Sequence, residues 1–177
     1  MILGICGYAR VGKDTLCERL ENFHRLAFAD ALKMQVTQML KAAGIEADLW
    51  GADKEEWRDL LVFWGRKMRA RDKDYWIKQL YLRHAAALLE DRVCITDCRY
   101  LNECRWITDK GGLIIGIGRP GYGPANEEEA MTIREIRIQR PDICWINNDG
   151  TPQDLATQAR QIIKEFNCRQ IKGSVLY

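Results

Sequence analysis

The chain has 177 residues, with 27 Lys and Arg against 25 Asp and Glu, a formal charge of +2 and 47% hydrophobic residues. That length suits one domain with one well-buried core, and the near-neutral balance excludes a general pull toward nucleic acid, so any basic site has to be local. Seven cysteines, at positions 6, 17, 94, 98, 104, 144 and 168, are odd in number and contain no CxxC pair, which argues against a zinc knuckle or a complete disulfide framework and for reduced, cytosolic thiols.

The opening MILGIC is too short for a secretory signal, and no stretch approaches the roughly 20 apolar residues that span a bilayer, so a cytoplasmic protein without membrane contact is expected. Its apolar run stops at Gly7 and reads as a buried strand feeding a loop, after which 13–23 carries helical spacing through Leu16, Leu20 and Phe23. RLAFA (25–29) reads as a second short strand, followed by helices near 31–43, 54–69 and 75–89, a helical region that spans about 31–91. VCIT (93–96) and LIIGI (113–117) are further strands, separated by a helix of about ten residues beginning near Asn102. Residues 119–142 break the alternation with Pro and Gly before a highly charged segment, and read as an insertion over the sheet edge that includes a short helix. A strand at 143–146, a turn at 147–152 (NNDGTP) and a helix over 153–166 complete the chain. Strands alternating with helices imply an α/β fold around a short parallel sheet of about five strands.

GYARVGKDT (7–15) has the spacing of a phosphate-binding loop: Gly7, four residues, then Gly12-Lys13. Glycines at these positions let successive backbone N–H groups face phosphate oxygens, and the lysine reaches the β/γ-phosphates of a nucleoside triphosphate. An ordinary glycine turn explains neither the second glycine nor the lysine at that distance. Gly7, Ala9, Arg10, Val11, Gly12, Lys13, Asp14 and Thr15 are therefore nucleotide-binding candidates, although Arg10 can equally point to solvent. Asp14 stands where such loops carry a hydroxyl. It is either a hard oxygen ligand for Mg²⁺, directly or through water, or a helix-start carboxylate, and the two roles are compatible. Thr15 still offers a hydroxyl to phosphate or metal.

Thr96-Asp97-Cys98-Arg99 follows the VCIT strand, which puts Asp97 and Arg99 at the carboxyl end of the sheet, where open α/β proteins bind ligands. Asp97 suits a magnesium-holding acid and Arg99 a bidentate grip on phosphate, with a plain strand-end ion pair as the alternative. Asp30, after RLAFA, either orients an acceptor or caps a helix from Ala31, with Lys33 one turn on. Trp64 and Arg69, within a stretch of rings and cations at 63–71, are acceptor-binding candidates; otherwise Trp57, Leu60, Leu61 and Trp64 form a core stripe and the cations its wet face. Arg119, Arg134, Arg137 and Arg140 are candidates for a lid that excludes water, or simply a solvated charged helix. His24 and His84 lack paired carboxylates and receive no catalytic role.

GYARVGKDT, FADALK (28–33), LLVFWGRKMRARDKDYW, ITDCRYLNE (95–103) and INNDGTPQDL (146–155) together resemble, in order and over nearly the whole chain, the P-loop deoxynucleoside monophosphate kinases typical of bacteriophages. GKDT recurs in that family, and the DxR followed by NE (Asp97, Arg99, Asn102, Glu103) is the most telling match after the loop. The resemblance implies a P-loop NTPase fold with a helical acceptor region and a lid. It implies transfer of the γ-phosphoryl of ATP, with Mg²⁺, to a small-molecule deoxynucleoside monophosphate. By the same resemblance, Lys13 and the loop hold the donor, Asp14 and Thr15 help place phosphate and magnesium, Arg99 binds the acceptor or transferring phosphate, and NNDGT, with Asn148 and Gly150, lies near the adenine. Two departures bear on the acceptor: Arg66-Lys67 stands where relatives commonly have Thr-Glu after Trp-Gly, and no His-x-Ser-Glu pattern occurs in the later insertion. A kinase acting on hydroxymethyl-uracil in DNA, with 66–73 on the strand, is the runner-up reading; a nucleotide-binding switch is the alternative outside enzymes. No stable nucleic-acid partner is expected, and homodimerisation stays open.

Overall fold

Strands and helices alternate in the computed structural model, which describes residues 1–174. In chain order the elements are β1 (Ile2–Cys6), α1 (Lys13–Arg19), β2 (His24–Leu26), α2 (Phe28–Ala42), a 3₁₀ turn at Ala52–Lys54, α3 (Arg58–Arg71), α4 (Tyr75–Glu90), β3 (Val93–Cys98), α5 (Leu101–Asp109), β4 (Leu113–Gly118), α6 (Glu127–Gln139), β5 (Cys144–Asn147) and α7 (Pro152–Ser174). The chain divides into two compact units, one formed by Met1–Leu26 with everything from Ala86 onward, the other by Ala27–Ala85. The second division falls inside α4, beside His84, the one residue there with non-helical angles (φ −128°, ψ 26°).

The first unit is built on a five-stranded, all-parallel sheet in the order β2-β3-β1-β4-β5. Parallel strands covered on both faces read as unbroken apolar runs, and β1 (ILGIC) is buried at every residue. One face packs Leu3, Ile5, Ile115 and Ile117 against Leu16 of α1 and Leu155 and Ala159 of α7. At Gly4 an added Cβ would lie 2.7 Å from Ile107 Cδ1 of α5, so glycine is what lets that helix approach the central strand. Between Ile95 and Cys98, β3 carries one more residue than β1, whose Gly4 pairs with Ile95 and Cys6 with Cys98. This bulge falls at Thr96 and Asp97, and bulges beside sites re-aim side chains.

Three sequence expectations change. The RLAFA strand ends at Leu26, and Phe28 opens α2, because Phe28, Ala31, Val36 and Leu40 form a buried helical stripe whereas His24 and Arg25 are exposed on an edge strand. Asp30 consequently lies in the first turn of α2 and is not its cap; Ala27 holds that position. The third helix starts at Arg58, not near 54, because the chain first makes the 3₁₀ turn. Within 119–142, α6 carries the chain from β4 to its parallel neighbour β5, with Ile133 and Ile136 fully buried and Arg134 and Arg137 exposed.

The second unit is helical. Val36, Leu40, Leu49 and Leu61 make its core, with Leu32, Trp57, Leu60 and Trp64 packed against them. The stripe of α3 therefore packs on this core, with Trp64 only half-buried.

Candidate phosphate-binding site

Gly7 sets the loop's path. Its φ of +143° is disfavoured for any side chain, and a Cβ there would collide with the carbonyl oxygen of Ile117. Gly12 repeats the pattern with φ +102°, and a Cβ would lie 2.6 Å from Asn148 Nδ2. Between them Arg10 adopts φ +63°, an uncommon angle for a residue with a side chain. The far turn braces the loop: Asn148 Nδ2 donates to the Val11 carbonyl (2.9 Å), and the Asn148 N–H donates to the Gly118 carbonyl (2.7 Å).

Lys13 is 7% exposed. Its ammonium donates to the carbonyls of Gly7 (3.0 Å) and Tyr8 (2.6 Å), so the side chain curls over the loop it belongs to. Burial lowers its pKa from the ordinary lysine value and the positive charge of Arg99 adds to that, while Glu129, Asp14 and Asp97 oppose it. Those five groups form one electrostatic neighbourhood.

Asp14 Oδ1 accepts hydrogen bonds from Arg25 Nε (3.0 Å) and Thr96 Oγ1 (2.9 Å). Burial pushes the carboxyl up, but these two bonds, with the charges of Arg25 and Lys13, hold it below the usual carboxylate value. A hydroxyl at this position offers no charge to Arg25; the carboxylate ties α1 to β2 and, through Thr96, to β3. Thr15 is half-buried beside it.

Asp97 and Arg99 stand where the sequence puts them, at and just beyond the carboxyl end of β3, adjacent to the end of β1 that feeds the loop. Glu103 Oε2, buried, accepts the backbone N–H groups of Arg99 (2.8 Å) and Tyr100 (3.0 Å). Arg99 Nη1 lies 3.4 Å from Glu129 Oε1 of α6. Sequence reasoning missed Glu129, Thr96 and Arg25. Glu129 had a local signal: Asn126 caps α6 by accepting the Glu129 N–H (2.9 Å), as Asn-x-x-Glu foreshadows, and Glu129 Oε2 accepts the N–H of Ala125, one residue before the cap (2.7 Å). Among the lid candidates, Arg119 lies over the Tyr122 ring (4.5 Å) and Arg137 over Trp145 (3.6 Å); Arg134 is exposed. Arg140 pairs with Asp142 (2.7 Å).

Within the helical unit, Trp50 Nε1 donates to Asp30 Oδ1 (3.0 Å) and Lys33 Nζ lies 5.3 Å from the Trp50 ring centroid, so Trp50, unremarked in the sequence, joins those two candidates. Trp64 Nε1 donates to Gln35 Oε1 (2.9 Å), and Gln35 Nε2 donates to the Tyr75 hydroxyl (2.9 Å). Arg69 reaches back along α3 toward Gly65, with Nη1 3.8 Å from where a Cβ would stand there.

Among the described residues there is no group of three or more His, Cys, Asp or Glu arranged to hold a metal ion, and no helix long and apolar enough to cross a membrane. Comparison with protein-family models and with curated proteins finds no match. Among solved structures, an unliganded sugar kinase from Janibacter sp. HTCC2649 is similar at 14% identity, with 92% of this chain and 94% of that chain covered and a TM-score of 0.44.

Proposed function

We propose that the chain is an ATP-dependent phosphotransferase that moves the γ-phosphoryl group to a deoxynucleoside monophosphate, leaving ADP and the deoxynucleoside diphosphate. Support comes from one arrangement: a glycine loop with a buried lysine lies at the same end of the sheet as Asp97 and Arg99. Phosphoryl transfer needs chiefly positioning and charge neutralisation, and that end of the sheet offers both. Lys13, held on neutral carbonyls, exchanges them for an anionic β/γ-phosphate, a stronger, charge-assisted partner. Arg99 takes the acceptor or transferring phosphate. Arg119, Arg134 and Arg137 serve as lid cations, and the turn with Gly150 and Asn148 flanks the donor's base, Asn148 doing so from its brace on the loop.

The donor set at the loop consists of hard oxygens, which suits Mg²⁺. That ion keeps several waters and takes one or two protein carboxylates beside the phosphates, so a larger acidic cluster is not required. Thr15 and Asp97 would hold it, with Asp14 joining through water because its Oδ1 already serves Arg25 and Thr96. Magnesium supplies charge neutralisation and orientation of the donor phosphates. Acceptor choice is assigned to Asp30, Lys33, Trp64 and Arg69.

The test is ATP consumption with magnesium across deoxynucleoside and ribonucleoside monophosphates, with hydroxymethyl-uracil DNA as a separate acceptor. Turnover with free deoxynucleoside monophosphates is expected. Lys13→Ala should lower it by about 100-fold or more at a melting temperature close to that of the wild type; normal turnover in that variant removes the donor assignment. Turnover with DNA alone moves the acceptor to the polymer, and ATP binding without transfer to any acceptor leaves a switch.

A further inference from the structure

Among the described residues, buried polar side chains are few: Lys13, Thr96, Glu103 and Glu129. Both glutamates turn to Arg99. Glu103 accepts its backbone N–H (2.8 Å), and Glu129 Oε1 lies 3.4 Å from its guanidinium. The Glu129 side chain is 1% exposed, and its position is fixed from behind by the bond from the Ala125 N–H to Oε2 and by the Asn126 cap on its own N–H. Among the described residues Oε1 makes no hydrogen bond, and its ion-pair partner is Arg99.

A buried carboxylate oxygen without a hydrogen bond is unfavourable, and an apolar residue of similar size would serve a helix face better. A carboxylate buried beside a cation at the candidate phosphate site points to work done on that cation. Arg99 presents five donors in one rigid plane. Glu129 engages the plane at Nη1, Arg99 has no other side-chain partner among the described residues, and 43% of its side chain remains exposed.

We propose that Glu129 is a positioning residue for phosphoryl transfer, holding one edge of the Arg99 guanidinium so that the other edge meets the acceptor phosphate. The inference rests on the assignment of Arg99 to that phosphate. Because Glu129 sits on α6 and its second oxygen closes the end of the 119–126 segment, the same carboxylate also joins the lid candidates to the arginine.

Four full-length proteins test it: wild type, Glu129→Gln, Arg99→Ala and the double variant. Glutamine keeps the shape and an acceptor for the Ala125 N–H but removes the charge on Arg99. Expected for Glu129→Gln is a fall of about 10- to 100-fold in kcat/KM for the nucleoside monophosphate, an ATP KM within about twofold of wild type, and less than about twofold further loss when added to Arg99→Ala, as for residues acting as one unit. Equal losses in both backgrounds, or an ATP KM that rises in step with the acceptor KM, overturn it. Should the glutamine protein not fold, Glu129→Asp, which keeps the charge and shortens the reach, takes its place under the same criteria. Pyrophosphate affinity by calorimetry across the four proteins needs no turnover. Non-additive losses there support the positioning role even if no monophosphate is consumed, a result that sinks the kinase assignment alone; additive losses there overturn the positioning role.

Discussion

At the scale of single residues, the loop is where the backbone constrains the sequence hardest. Replacing Gly7 with Ala forces a side chain into φ +143° and against the Ile117 carbonyl. Strain of that kind costs roughly 1–3 kcal/mol, so the variant should unfold at lower urea and bind ATP more weakly; unchanged stability would mean that the loop does not depend on this angle. Residues of the loop were legible in the sequence because glycine and lysine spacing is local and has a mechanism attached. Asp14 was half legible. Its position was marked, but its hydrogen-bond partners Arg25 and Thr96 lie on strands 11 and 82 residues away and leave no trace in the local pattern. Glu129 was hidden differently: in a run of three glutamates, periodicity does not say which one faces inward, and only the cap at Asn126 separates it from Glu127 and Glu128.

At the scale of elements, α6 shows how charge content misleads. Its sequence, EEEAMTIREIRIQ, suggests a solvated helix, yet Ile133 and Ile136 are fully buried, and these two side chains attach it. Ile136→Ala should cost about 2–5 kcal/mol by urea denaturation, whereas Met131→Ala on the exposed side should stay within about 0.5 kcal/mol. Equal effects would mean that α6 is not anchored by this face. Strand positions were readable from short apolar runs, because both faces of a parallel sheet are covered. Edges were less readable. At β2 only Leu26 is buried, and of the other apolar residues of RLAFA, Ala27 caps the next helix and Phe28 and Ala29 belong to it. The bulge at Thr96–Asp97 is invisible in one strand alone, since it exists only relative to a partner.

At the scale of the whole molecule, acid should weaken the fold. Asp14 is held below the ordinary carboxylate value although burial pushes it up, because the bonds from Arg25 and Thr96 prevail; Asp142 is lowered by its bond from Arg140. The unfolded chain therefore binds more protons than the folded one in acid. Stability is full above the ordinary carboxylate pKa of 3.8 and is lost as pH falls through the lower folded values. Both pairs are solvent-screened, so each contributes less than about 1 kcal/mol. Urea midpoints at pH 7 and pH 3 should fall less for Asp142→Asn than for wild type, and an equal fall would remove that pair from the acid response. The division into two units was not legible, for a physical reason: no Pro-, Gly- or Ser-rich linker marks it, and one crossing is a single-residue joint at Ala27 while the other lies inside a helix. The sheet order has a temporal consequence as well. β1 is its centre, but Ile2 pairs with Val93 and Leu3 with Leu113, so during synthesis the apolar strand waits for about 90 to 110 residues before either neighbour exists. At roughly 5–20 residues per second that is a delay of several seconds or more, during which ILGIC is an apolar segment without its native strand partners.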